Sequence, residues 1–114
     1  MKYLIQIRFN GADAVIHGLP EDEQREITAE FQGVRALPGV LDGNQLESTG
    51  TARTVRVNGG RALVSEGPPV DDPAAINGYY VVDAEDLDAA IAFAARIPVA
   101  RMGGTVEVRA MVER

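Results

Sequence analysis

The sequence predicts an α+β fold, in which two helices cover one face of an antiparallel sheet. Residues 1–9 and 105–112 alternate between apolar and polar side chains, which is typical of strands with one buried face. Residues 78–97 join a strand rich in tyrosine and valine to an amphipathic helix. The elements follow the order β-α-β, hairpin, β-α-β, and right-handed crossovers place both helices on the same side of the sheet. We therefore expect a ferredoxin-like βαββαβ arrangement with an inserted β-hairpin.

In the first half of the chain, the strand at residues 1–9 has its apolar side chains at odd positions. Residues 10–13, Asn-Gly-Ala-Asp, have the composition of a turn. A helix is predicted to begin at Pro20, because proline suits the first helical turn and the acidic residues that follow favour the positive end of the helix dipole. It should end before residues 38–39, Pro-Gly. A short second strand follows, which residues 42–44, Asp-Gly-Asn, are expected to interrupt.

In the second half, a hairpin is predicted over residues 54–64, because Asn-Gly-Gly at residues 58–60 suits a turn with two residues at positive φ. Residues 66–73 contain three prolines and cannot pair in a sheet. The next strand should end at Asp83, whose carboxylate would cap a helix that ends before Pro98. The residues predicted to form the apolar face of this helix are Leu87, Ala90, Ile91, Ala94 and Ile97.

Composition and charge exclude several classes of function. The 114 residues carry a net charge of −6, and basic residues never occur three in a row, so we expect no nucleic-acid partner. The absence of cysteine excludes disulfides and thiol catalysis. No apolar run approaches the roughly 20 residues of a membrane span, and the first residues lack the features of a signal peptide. We therefore expect one domain, residues 1–114, that is cytoplasmic and has no membrane partner.

Several short motifs together resemble those of one protein family. They are Thr54-Val55-Arg56, Glu66-Gly67-Pro68, Gly78-Tyr79-Tyr80, Pro98-Val99-Ala100-Arg101 and the run from Gly104 to Arg109. With residues 1–3 and 39–41 they resemble the YCII-related proteins, specifically the group named for a DGPF motif. The resemblance implies a protomer that dimerises through its sheets into an α/β barrel. It implies no settled activity, and genes of such proteins often lie beside those of alternative sigma factors.

The sequence departs from this family pattern at two places. The DGPF motif stands here as Glu66-Gly67-Pro68-Pro69. Other YCII-related proteins carry a proposed catalytic His/Asp pair, with the histidine on the first helix. His17 precedes the predicted first helix, so the pair is not carried over to this chain. By the family topology, the nearest acidic candidate to His17 is Asp42.

The polar faces of the first and last strands supply the main candidate site. Arg8, Glu107 and Arg109 lie there among apolar residues, on a face that a ligand or a second subunit would cover, so we expect a homodimer. These three side chains would form an anion-binding floor, or alternatively a salt-bridge network between strands or subunits. Tyr79 or Tyr80 would add a phenol to the same site, while alternation places the other tyrosine in the core.

Two weaker candidates are acidic and basic groups in loops. Glu66 with Asp71 and Asp72 would serve acid/base chemistry or bind a hard cation, although turn acids more often bind backbone amides, and we favour that alternative. His17 is of the residue type best suited to acid/base chemistry at neutral pH. Alone in a loop flanked by glycine, it is more consistent with a surface role. No metal site and no cofactor motif is predicted.

Two functions remain open from the sequence. The first is the binding of a small anionic molecule, with acid/base activity, in a cleft of the dimeric barrel. The second is a non-enzymatic regulatory or protein-interaction module. If a cleft exists, we expect it where the loop of Glu66 approaches the outer face of the last strand at Arg109.

Overall fold

The computed structural model describes residues 1–9, 11–70, 72 and 74–114, and it describes Asp13 by its backbone alone. The predicted turn position Asn10 and the loop residues Asp71 and Pro73 lie outside the described residues. The regular elements of the described chain, in order, are β1 (Lys2–Arg8), α1 (Ala12–His17), α2 (Glu21–Arg35), β2 (Val40–Gln45), β3 (Arg53–Asn58), β4 (Arg61–Glu66), β5 (Ile76–Asp83), α3 (Leu87–Ala95) and β6 (Thr105–Ala110).

The main sheet has four strands in the order β2-β5-β1-β6, and every neighbouring pair is antiparallel. Ile5, at the centre of β1, lies opposite Tyr80 of β5 on one side and Val108 of β6 on the other. Strands β3 and β4 pair only with each other and form a separate hairpin, whose turn residues Gly59 and Gly60 both have positive φ. The topology confirms the α+β, ferredoxin-like prediction with its inserted hairpin.

The core lies between this sheet and the helices. The odd-numbered residues of β1 are buried as the alternation predicts, together with Tyr80 and Val82 of β5. Against them pack Val34 of α2, Ala90 and Ala94 of α3, and the segment that follows α3. The predicted apolar face of α3 is wrong at Leu87 and Ile91, which are about half exposed. The helix turns its small alanines toward the sheet instead, because alanine lets the two backbones approach closely.

Two further predictions are corrected by the structure. Residues predicted as turn and loop form the short helix α1, whose six residues are too few to show a clear helical period. The second strand is continuous through Asp42, Gly43 and Asn44, with a bulge at Leu41. The ring of Tyr80 fills the space beside Gly43, where a Cβ atom would lie 2.5 Å from Tyr80 Cδ1. Glycine is thus required at this position by close packing and does not break the strand.

The predicted helix cap at Asp83 is also wrong. Asp83 remains in β5, and its Oδ1 atom lies 2.9 Å from the α-amino group of Met1. This hydrogen bond raises the pKa of the amino group and lowers the pKa of the Asp83 carboxyl. Asp86 is the actual N-cap of α3, since its Oδ1 accepts the backbone N–H of Ala89 at 2.8 Å.

Asp86→Ala should lower the free energy of unfolding by about 1 kcal/mol, because one N–H of the first turn of α3 loses its acceptor. Asp83→Ala is the matched control, and its effect should be smaller because the ion pair it removes is exposed to solvent. Urea denaturation of both variants measures the difference. A larger loss for Asp83→Ala would contradict the assignment of the cap.

Candidate functional site

A cleft of about 500 Å³ lies between helices α1 and α2 and the strands β2 and β5. This volume is in the range of small-molecule binding sites. Its floor is continuous with the hydrophobic core. The apolar and aromatic residues that form the floor are Ile7, Ala12, Ile16, Ile27, Phe31, Tyr80 and Val99.

The polar rim of this cleft contains no aspartate or glutamate among the residues that the structure describes. The chain as a whole has 17 acidic and 11 basic residues. A described rim without carboxylates therefore contrasts with the acidic charge of the whole chain. The lining residues of polar type are His17, Thr28, Gln32, Arg35, Asn44, Gln45, Asn77 and Tyr79, although the side chains of Asn44 and Tyr79 lie on the outer face of the sheet. Arg35 is the charged residue among the described residues that line the cleft, apart from the titratable His17.

Arg35, the last residue of α2, supplies the positive charge. Its side chain makes no hydrogen bond or ion pair with any residue that the structure describes. Burial raises the pKa of Tyr80, and the charge of Arg35 opposes that rise, so its field reaches the floor of the cleft. A guanidinium group without a carboxylate partner is well suited to bind an anion.

Asn77 adds an unsatisfied polar atom to the same cleft. Its amide oxygen is buried and has no hydrogen-bond partner among the described residues. Because a buried polar atom without a partner is costly, a bound molecule with an N–H or O–H group would gain a hydrogen bond here. Asn77 thus places a buried acceptor without a described partner among the residues that line the cleft.

His17 is the C-terminal residue of the short helix α1, and it precedes α2, the helix that was predicted to begin at Pro20. Its side chain is exposed on the rim and has no hydrogen bond or ion pair within the described chain. Asp42 is not its partner. The two carboxylate oxygens of Asp42 accept the N–H of Gly43 at 2.8 Å and the hydroxyl of Tyr79 at 3.1 Å.

The register of the sheet places Asp42 opposite Val81, on the outer face and away from the helices. Tyr79 lies on the outer face as well, and Tyr80 is the core tyrosine. The hydrogen bond to Asp42, followed by the charge of that carboxylate, raises the pKa of Tyr79. A His/Asp pair formed by His17 and Asp42 is therefore not present in this structure.

The three charged residues predicted for the main candidate site, Arg8, Glu107 and Arg109, lie together on the outer face of the sheet. Glu107 lies between two arginines, with Oε1 at 3.5 Å from Nη2 of Arg8 and Oε2 at 2.7 Å from Nη2 of Arg109. Arg8 also donates to the carbonyl oxygen of Ala74 at 3.1 Å. One carboxylate thus joins both guanidinium groups, which is the salt-bridge network considered as the alternative to an anion site.

Glu66 lies at the end of β4, opposite Arg53 and outside the main sheet that carries Arg109. Of the acidic residues that follow it, Asp72 accepts the backbone N–H of Ala74 at 2.8 Å, as expected of a turn acid. Asp71 lies outside the described residues. Within the described part of the chain, no group of three or more His, Cys, Asp or Glu residues could hold a metal ion.

Arg35, Gln32 and Asn77 are not among the site residues predicted from the sequence. One signal for the first two was present, because Thr28, Gln32 and Arg35 are spaced by four and three residues and share one side of α2. This polar row runs beside the apolar stripe of Ile27 and Phe31. The position of Asn77 beside the same row depends on the sheet, and no local pattern indicates it.

An α+β chain with this strand order and a cleft between the helices and the sheet is a ferredoxin-like protein with a pocket of small-molecule size. The chain belongs to the YCII-related family, because the model of the YCII-related domain matches residues 1–113. No curated protein matches the chain. None of the helices in the described residues is both long and apolar enough to cross a membrane.

Among solved structures, the chain is similar to 5-chloro-2-hydroxyhydroquinone dehydrochlorinase from Burkholderia phenoliruptrix AC1100, in complex with 2,5-dihydroxybenzoquinone. The two are 17% identical with a TM-score of 0.47, over 94% of this chain and 91% of that chain.

Proposed function

We propose that the protein binds a small organic anion in the cleft between α1, α2 and the β2–β5 edge of the sheet. The observation that carries this proposal is the unpaired guanidinium group of Arg35 in a rim without a described carboxylate. On a chain with a net charge of −6, such a rim selects against cations and favours an anion.

The composition of the floor narrows the chemical class of the ligand. Isoleucine, phenylalanine and tyrosine side chains favour an apolar or aromatic body, because burying that surface provides most of the binding free energy. Arg35 would bind the acidic group, and the amide oxygen of Asn77 would accept a hydrogen bond from a hydroxyl or N–H group. A hydroxylated aromatic carboxylate satisfies all three requirements.

Benzoate and the neutral benzamide are suitable probes of this proposal. Benzoate should bind more tightly than benzamide, and Arg35→Gln should weaken the binding of benzoate about 10-fold to 100-fold, since a hydrogen bond to a charged group contributes roughly 1.5–3 kcal/mol. Isothermal titration calorimetry measures both affinities.

Arg25→Gln is the matched control, because Arg25 lies on the same helix but does not line the cleft, and its nearest acid is Asp22 at 3.9 Å. It should bind benzoate like the unmodified protein. Equal affinity of Arg35→Gln for benzoate, or equal affinity of the unmodified protein for benzoate and benzamide, would contradict the proposal.

Acid/base activity on the bound anion would fall to His17, whose imidazole lines the same rim. Asp42 does not orient it, because both oxygens of that carboxylate are already hydrogen-bonded on the other face of the sheet. Proton transfer would then take place directly between His17 and the ligand.

The expected homodimer also remains a proposal. The alternative function, an interaction module, requires a surface that another protein covers.

A further inference from the structure

Strands β3 and β4 form an arm, Arg53–Glu66, that stands apart from the main sheet. All of its residues in the two strands are exposed except Thr54, which is half-buried. The radius of gyration of the chain is 16.0 Å, whereas a compact chain of this length has one of about 13 Å. The arm therefore extends away from the body of the protein.

On one face of the arm, all the residue pairs that follow Arg53 and Glu66 are apolar. Val55 lies opposite Val64, and Val57 lies opposite Ala62, so these four side chains share one face. We call them the valine face. Its three valines are 59%, 71% and 64% exposed, in chain order. An isolated two-stranded hairpin is marginally stable in water. A solvent-exposed apolar face lowers its stability further.

The charge of the arm differs in sign from that of the rest of the chain. The arm carries three arginines and one glutamate, a net charge of +2, and the remaining residues carry 8 basic and 16 acidic groups, a net charge of −8. Two arms brought face to face would repel each other. An arm brought against the acidic body of another copy would be attracted.

We propose that the valine face docks on the body of a second copy of this chain. In a two-fold symmetric pair each copy supplies one arm and receives one, so the apolar area that is covered doubles. This contact differs from the dimerisation through the sheets that the family resemblance implies, because it uses the hairpin. It also gives a reason for the exposed apolar face of the hairpin.

The proposal is tested by sedimentation velocity at micromolar concentrations, with Val64→Glu compared with Leu63→Glu. The two residues are adjacent on β4, 64% and 52% exposed, and on opposite faces of the arm. Both substitutions lower the charge of the arm equally. The unmodified protein and Leu63→Glu should sediment as dimers, and Val64→Glu should raise the dissociation constant of the dimer at least 10-fold.

Three results would overturn the proposal. They are a monomer for the unmodified protein, an unchanged dissociation constant for Val64→Glu, and an equal loss of dimer in both variants. The salt dependence of dimerisation tests whether the arm docks on an acidic surface of the second copy. Dimerisation should weaken between 50 and 500 mM NaCl if a basic arm meets an acidic body, and a dimer that tightens with salt would overturn that assignment.

Discussion

Ile5→Ala should lower the free energy of unfolding by about 2–5 kcal/mol, the range observed when a large buried aliphatic side chain is truncated. Ile5 is 0% exposed and lies in the central strand of the sheet, between Tyr80 and Val108. Strands on both sides hold the backbone of β1, so the neighbours cannot collapse into the cavity. The loss is a large share of the roughly 5–15 kcal/mol that stabilises a domain.

Urea denaturation at one fixed protein concentration measures this loss, and the fixed concentration removes any contribution from association. Ile5→Val is the graded control, because it removes one methylene group and should cost only about 0.5–1.5 kcal/mol. If the alanine and valine variants unfolded at the same urea concentration, Ile5 would not occupy the tightly packed centre of the core.

Gly39→Ala should destabilise the protein by about 2–4 kcal/mol. Gly39 precedes β2 with a φ of 88°, a conformation that costs a residue with a Cβ atom about 1–2 kcal/mol. A Cβ atom there would also lie 2.5 Å from the carbonyl oxygen of Asp83, which is closer than van der Waals contact allows. The backbone cannot move aside easily, because the N–H of Asp83 donates to the carbonyl oxygen of Gly39 at 2.7 Å.

Gly33→Ala is the matched control for this substitution. Gly33 lies inside α2 with nothing within 4 Å of the position of an added Cβ atom, so alanine should stabilise the helix by about 0.5–1 kcal/mol. The two variants should therefore shift the midpoint of thermal unfolding in opposite directions. An unchanged or raised midpoint for Gly39→Ala would mean that Gly39 is free of the strain described here.

Patterns that depend on neighbouring residues predicted most of the fold. The alternation along β1 identified the buried residues, and the Asn-Gly-Gly sequence identified the hairpin turn. The predictions that failed involve the ends and the orientations of elements. Asp83 and Asp86 are equally good caps by residue type, and only the end of the pairing of β5 leaves Asp86 to cap α3.

The candidate site was less predictable than the fold. Arg8, Glu107 and Arg109 were expected to lie together because β1 and β6 were expected to pair, and the structure joins them through Glu107. The same structure links these three charges in one network, in which the buried Nε of Arg8 has no hydrogen-bond partner among the described residues. Within the described residues, the side chains of Arg35 and His17 that line the cleft have no hydrogen bond or ion pair, and they come from α2 and from α1, which was not predicted.

The sequence by itself determined the order of the strands and of the helices α2 and α3, the buried face of β1 and the acidic charge, because each depends on residues close together in the chain or on composition alone. Only the tertiary structure decided which tyrosine is buried, since Tyr79 and Tyr80 differ in the face they occupy once β5 pairs with β1. It also decided the cleft, where residues from the two helices and two strands meet. A cleft of that kind depends on packing between segments that are distant in the chain, and no local sequence pattern predicts it.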